Sequence, residues 1–173
     1  MSAHPPEAGR RPIMTEKQLL LPASRRHAGE FAISTDTHRP AGATDHHQIG
    51  PINISTFAGV SVTRLIDEHG DDIGAFIGDV IDYRSHQVAG DVVELPTANT
   101  SSAPDRLHQV ENFVFSHGGR WVFVYAENGR NLLFLDANGC NSVVFDPVLK
   151  RAASSTGLLL EDDEYVKRFD DEL

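Results

Sequence analysis

The chain has 173 residues, 40% of them apolar, with a single tryptophan and a single cysteine, which suits one globular domain with a core of its own. Its formal charge is −10 and unevenly placed, with residues 1–47 balancing at +1 and residues 48–173 at −11. So acidic a domain repels a phosphate backbone, which excludes nucleic acid as an expected partner. The lone Cys140 rules out an internal disulfide or a cysteine-rich zinc motif, and no apolar run approaches the roughly 20 residues that span a bilayer. With no secretory signal legible at its start, the chain is expected in the cytoplasm and away from membranes.

Residues 1–30, rich at their start in Pro, Gly and Arg, are expected to form a poorly ordered tail, and residues 31–173 the domain, with its core at about 55–160. Phe31-Ala32-Ile33-Ser34-Thr35 reads as a first strand. Residues 36–50 read as a polar connection carrying the pair His46-His47. Two adjacent histidines without a spaced carboxylate or thiol do not make a metal site, so neither a metal nor another cofactor is expected. Val60, Val62 and Arg64 alternate against Ser61, Thr63 and Leu65 up to the turn Asp67-Glu68-His69-Gly70, and residues 73–81 return as the second strand of that hairpin. Gly74 and Gly78 inside it signal a bulge or a close backbone approach.

Residues 92–95 read as a short edge strand and residues 97–104 as a loop. Leu107, Val110 and Val114 then recur at helical spacing over residues 105–116, with Gly118-Gly119 as the stop and His117 as a C-terminal residue facing the helix dipole. Trp121, Phe123 and Tyr125 alternate with Val122, Val124 and Ala126, so both faces of that strand are apolar and it belongs at the centre of a covered sheet. Asn128-Gly129 supplies the positive φ angles of a tight hairpin turn before residues 132–135. Asn138-Gly139 and Asp146-Pro147 punctuate the strand at residues 142–145 and a last strand over residues 151–156, with Ser154-Ser155-Thr156 placed to cap the next helix. That helix is expected after Asp162-Asp163-Glu164, with Tyr165 and Phe169 as its apolar stripe. Strands, helix, strand meander and final helix together indicate an α+β layered domain.

Two segments carry a family resemblance. Leu135-Asp136-Ala137-Asn138-Gly139-Cys140-Asn141-Ser142-Val143-Val144-Phe145 is similar to the R-D-x-x-G-x-x-P-L-Y-Y signature, and Ile77-Gly78-Asp79-Val80-Ile81-Asp82 to the N-G-E-I-Y-N segment, of the N-terminal glutaminase domain of asparagine synthases and other class II glutamine amidotransferases. Asp136, Gly139 and the apolar end of the signature match. Leu135 stands where the family has arginine, Ser142 where it has proline, and Ile77 where it has asparagine. Residues 55–160 together resemble the degenerate N-terminal domains of asparagine synthase-related proteins from bacterial biosynthetic clusters. The resemblance implies a layered α/β/β/α sandwich of mainly antiparallel sheets, of the N-terminal nucleophile hydrolase type.

It also implies what is missing. The family's nucleophile is an amino-terminal cysteine whose own α-amine is the base, whereas this chain begins Met1-Ser2-Ala3, and Ser2 lies on the tail, away from any base held within hydrogen-bond reach. The asparagine of N-G-E-I-Y-N helps form the oxyanion hole, and loss of one such donor costs about 100- to 1000-fold in rate. Cys140 aligns with an apolar structural position, where a free cysteine behaves as a small buried hydrophobe. Neither a G-x-x-x-x-G-K-[ST] loop nor the synthetase half's S-G-G-x-D-S loop is present in the sequence, so ATP chemistry is expected elsewhere. The chain ends where the family's synthetase domain begins, as a truncated or split version does. The reading is therefore a domain without catalytic residues that serves as an interaction module, docking on a synthetase-type domain or a second copy, with Ile77 and Leu135 filling the former glutamine pocket. Two rivals stand beside it: a residual amidotransferase or amidohydrolase using Ser2 or Cys140, and a small-molecule binding module.

Overall fold

The apolar strand centred on Trp121 extends over His117–Glu127 and pairs antiparallel with an equally long strand, Asp72–Asp82. The computed structural model describes residues 29–96 and 103–159. In chain order these form β1 (Phe31–Ser34), β2 (Asp45–Ile49), β3 (Ile52–Thr56), β4 (Val62–Ile66), β5 (Asp72–Asp82), β6 (Gln87–Val88), β7 (Val92–Glu94), helix α1 (Ala103–Val114), β8 (His117–Glu127), β9 (Arg130–Leu135), β10 (Val144–Asp146) and β11 (Arg151–Ala153). They make two sheets. The first runs β10-β11-β1-β3-β2 and is antiparallel throughout; the second runs β7-β4-β5-β8-β9, with β6 on the end of β5 and one parallel pair, β4 with β7. Among the described residues the protein is thus mostly sheet with one helix, and none of them forms a helix long and apolar enough to cross a membrane.

Period-two alternation explains the layering. Ala75, Ile77, Val122, Val124 and Ala126 point from β5 and β8 towards Phe31, Ile33, Ile49, Ile52 and Ile54 of the first sheet and bury with them as an inter-sheet core. The intervening residues Phe76, Val80, Trp121, Phe123 and Tyr125 point the other way and bury under Val110 and Val114 of α1. Phe76 organises this side, edge-on to Trp121 at 5.2 Å and tilted against Phe123 at 4.6 Å between ring centroids, arrangements worth about 1 kcal/mol beyond the area they bury. A third cluster, Ala32, Phe57, Ala153, Leu158 and Leu159, covers the outer face of the first sheet with help from a 3-10 turn at Thr156–Leu158. The end of β1 is tied to that turn by Asp36, whose Oδ2 accepts both Nε and Nη2 of Arg151, while Arg151 Nη1 donates to the Leu159 carbonyl.

Several elements differ from the sequence reading. The polar connection over residues 36–50 contains β2, because Gly50 at φ +54° turns the chain back and lets residues 45–49 pair with β3. Gly118-Gly119 does not stop the helix: α1 ends at Val114, and both glycines lie within β8. His117 opens that strand, yet its Nδ1 lies 2.8 Å from the Phe113 carbonyl, so it does bind the helix C-terminus. Ser155 stands at the cap position of the 3-10 turn without a side-chain cap bond, and Ser154 Oγ instead accepts the Phe31 N–H at 3.0 Å. The helix expected near the C-terminus, with Tyr165 and Phe169, and Ser2 lie outside the described residues.

Two glycines allow β5 and β8 to approach. Gly78 and Gly119 both have positive φ, +115° and +112°. A Cβ on Gly78 would run into the Arg120 carbonyl oxygen, and a Cβ on Gly119 into that of Asp79. Asp79 and Arg120 are themselves partners in the ladder, so the clash is reciprocal and neither carbonyl has room to move. Gly118 differs, since the atoms its Cβ would meet first are the ring end of Tyr83, an exposed side chain. Gly78→Ala and Gly119→Ala should each destabilise the fold by about 2–3 kcal/mol, and Gly118→Ala by well under half of that, as read by urea denaturation; equal losses at all three positions would refute the backbone argument.

The helix is held at its start by charge. Arg106 reaches Glu68 Oε2 at 3.1 Å, Glu127 Oε1 at 3.5 Å and Asp67 Oδ2 at 3.8 Å, and the Tyr125 hydroxyl donates to Glu127 at 2.5 Å. Burial raises the Tyr125 pKa above its ordinary value, and the Glu127 carboxylate raises it further. The unfolded chain therefore releases this proton first, so the contribution is intact below about pH 10 and declines above it. Tyr125→Phe should lower stability at neutral pH yet flatten its fall between about pH 9 and 11, a difference measurable by denaturant titration across that range.

Candidate functional site

The two family-like segments are brought together across β8. Ile77 and Leu135 both pair with Val122, one from each side. One residue further on, Gly78 pairs with Trp121, and the Asp136 N–H donates to the Trp121 carbonyl. Ile77 is fully buried in the inter-sheet core, where an isoleucine donates no hydrogen bond. Leu135 does not fill a pocket as expected: on edge strand β9, and beyond the reach of the first sheet, it remains 40% exposed. Asp79 is also exposed.

Asp136 is buried, and its role is to shape a loop. Its carboxylate accepts the N–H groups of Asn138 at 2.9 Å and Cys140 at 3.2 Å, while its carbonyl accepts that of Gly139 at 2.9 Å. Gly139 takes φ +59° to close the turn. This loop carries Cys140 and Ser142 outward, Cys140 being exposed and Ser142 lying just beyond it. The expectation of a buried Cys140 is thereby corrected: the turn that Asp136 and Gly139 impose leaves no sheet above the thiol. Among the described residues no hydrogen bond links that thiol to a histidine, the pairing an activated cysteine needs.

A polar cleft of about 400 Å³ opens on the other side of Gly78, where the inner face of β2 and β3 meets the start of β4 and the β6–β7 segment. Alternation builds it: Asp45, His47 and Ile49 face inward opposite Thr56, Ile54 and Ile52, and at this margin polar residues replace the isoleucines. The cleft's hydroxyls are mostly committed. Ser61 Oγ donates to the Gly78 carbonyl at 2.8 Å, and Thr63 Oγ1 to the Gly90 carbonyl at 2.9 Å. Arg64 is engaged with both oxygens of Asp72. Thr56 is the exception, 1% exposed with a hydroxyl that has no partner among the described residues. His46, on the opposite face of β2, lies 3.0 Å from Ser55 Oγ and takes no part. Nor do the described residues gather three or more His, Cys, Asp or Glu side chains in a metal-holding group.

The sequence reading singled out Gly78 but missed Asp45, Thr56 and Ser61. The signal was present in Ile52-Asn53-Ile54-Ser55-Thr56, whose period-two pattern sets Thr56 on the face of the two isoleucines. A serine or threonine hydroxyl whose proton is bound to a carbonyl is no nucleophile, because the proton must pass to a base for the oxygen to attack. The cleft presents the carboxylates of Asp45 and Asp91 to a polar molecule, and among its described residues it offers no nucleophile bonded to a base. No known family model, curated protein or solved structure matches the chain.

Thr56→Val removes the unpaired hydroxyl at constant shape. It should raise the stability of the free protein by about 1 kcal/mol, as read by thermal or urea denaturation. A loss of the same size would mean that the hydroxyl has a bound partner.

Proposed function

We propose that the chain is a catalytically degenerate glutamine amidotransferase-like domain, with the layered architecture of the N-terminal nucleophile hydrolases, serving as an interaction module of an asparagine synthase-related biosynthetic system. Its partner is a synthetase-type domain or a second copy of itself, in the cytoplasm. The observation that carries this reading is Ile77: the position where the resemblance calls for an oxyanion-stabilising amide is occupied by a fully buried hydrocarbon side chain beside Gly78. Further support comes from Ser61 and Thr63, whose protons go to backbone carbonyls, and from Cys140, whose loop displays the thiol to solvent. Two packed, largely antiparallel sheets with a helix against one of them are consistent with three of the four layers of such a domain; the described residues place a 3-10 turn, not a helix, on the outer face of the first sheet.

A second reading, a small-molecule binding module, is favoured by the polar cleft and the carboxylates of Asp45 and Asp91 in its lining. A residual enzyme would need Ser2 or Cys140 as its nucleophile.

Treatment with the glutamine-analogue electrophile diazo-oxonorleucine, with mass spectrometry and an assay for glutamate release, tests the degenerate reading against a residual enzyme. The expected result is no glutamine-protectable adduct and no glutamate. A stoichiometric adduct at Ser2 or Cys140 that glutamine prevents would overturn the proposal and name the nucleophile.

A further inference from the structure

His117 is 7% exposed, and its ring lies between those of Phe113 and Phe76, at 4.6 and 5.5 Å between centroids. Its Nδ1 is 2.8 Å from the Phe113 carbonyl. A carbonyl can only accept, so Nδ1 carries the proton and the neutral ring keeps its lone pair on Nε2. Among the described residues Nε2 has no hydrogen-bond partner. Nor is it sealed in: the buried side-chain polar atoms of the described residues that lack a partner are Thr56 Oγ1 and Trp121 Nε1, so Nε2 is reached from the cleft that the ring lines. That cleft, of about 340 Å³, opens at the C-terminal end of α1, where Phe113 and Ser116 meet the turn from β5 into β6.

The rest of the lining is rich in acceptors. Asp82 ends β5 opposite His117 in the ladder. One of its carboxylate oxygens accepts the Arg84 N–H at 2.8 Å and the other the Ser85 hydroxyl at 2.9 Å, bonds that hold the carboxyl below its ordinary pKa. Each oxygen keeps a lone pair for a further donor. Glu94, at the end of β7, adds a second carboxylate. The last turn of α1 carries no basic residue, so the negative end of its dipole has no cation of its own. Arg84 is the one cation in the lining; its side chain is exposed, and Asp82 takes its backbone N–H. Two carboxylates and a helix C-terminus outweigh it.

We propose that this cleft binds a small primary ammonium ion, which donates N–H to His117 Nε2 and to the Asp82 carboxylate while Glu94 adds to the field that holds it. The proposal does not rest on the interaction-module reading. A fixed nitrogen lone pair calls for a donor, and the carboxylates with the helix end call for positive charge; a primary ammonium ion brings both, with three N–H groups on one centre. A quaternary ammonium ion has the charge without the N–H, and an alcohol has a donor without the charge. Among the described residues no three His, Cys, Asp or Glu side chains gather into a metal-holding group, so the set does not match a bare metal ion. The chain's formal charge of −10 raises the concentration of cations near its surface.

The test is an NMR titration of the full chain, labelled with nitrogen-15 at histidine, with n-butylammonium, and with tetramethylammonium and n-butanol as controls at constant ionic strength. The n-butylammonium ion should shift the His117 Nε2 resonance saturably and bind roughly tenfold or more tightly than either control, as a charge-assisted hydrogen bond does over charge or donor alone. Binding should weaken as the pH falls from about 8 to about 5, because a proton then takes the Nε2 lone pair while the carboxylates stay charged. Asp82→Asn should weaken it several-fold, and so should His117→Asn, whose shorter amide can still donate to the Phe113 carbonyl, each with an unchanged circular dichroism spectrum. The absence of a saturable shift, equal binding of the two cations, or binding that is as strong at the lower pH would overturn the proposal. These three outcomes are read on the unmodified protein and stand even where a variant fails to fold.

Discussion

Every other element of the molecule takes its place from the β5–β8 ladder. Nine consecutive residue pairs run from Gly74 with Tyr125 to Asp82 with His117, and the two strands dictate their surroundings by what they present on their faces and edges. One face supplies the floor of the inter-sheet core and the other the bed for α1. Its edges recruit β4 and β9. A slip of one residue between them would turn one strand over relative to the other, sending Trp121 and Phe123 towards the first sheet and Val122 towards the helix while Phe76 and Ile77 kept their faces. The reciprocal fit of Gly78 and Gly119 guards against such a slip, because only in the native register does each glycine meet the carbonyl of the other strand.

The same ladder accounts for the character of the candidate site. Ile77 belongs to the inter-sheet face, and the alternation that buries it leaves no polar group projecting into the interior at that point. Polar chemistry is displaced to the margin, where β2 and β3 outrun the isoleucines and Asp45 and Thr56 take their place. At this margin the hydroxyls of Ser61 and Thr63 bond to carbonyls of neighbouring segments, which favours cohesion over reactivity.

Much of the fold was legible because local chemistry and tertiary context agreed. The doubly apolar strand around Trp121 is an interior strand, flanked by β5 and β9 though one place from the edge, Asn128-Gly129 forms its hairpin turn, and Leu107, Val110 and Val114 do pack on one helical face. Legibility failed where a residue type had two uses. Gly118-Gly119 carries the chemistry of a helix stop, but here glycine serves strand approach. Asp45-His46-His47-Gln48 has the polarity of a loop, yet its alternate residues need only face a cleft margin and solvent to make a strand. Cys140 has the bulk and polarity of a core residue, and only the turn set by Asp136 and Gly139 decides that it points outward. The cleft was missed for a deeper reason: Thr56 and Ser61 lie on separate hairpins, and their proximity is a property of how two sheets stack.

The position of Trp121 gives the molecule an optical property. It is the chain's single tryptophan, 1% exposed and edge-on to Phe76 beneath the layer that α1 covers. All indole emission therefore originates at the contact between helix and sheet, in surroundings as dry as the molecule possesses. The row Gly78, Trp121 and Asp136 passes through the same residue. An intrinsic fluorophore thus stands at the crossing of the helix layer with both family-like segments, where lifting of the helix or distortion of the ladder registers as a change in the light emitted.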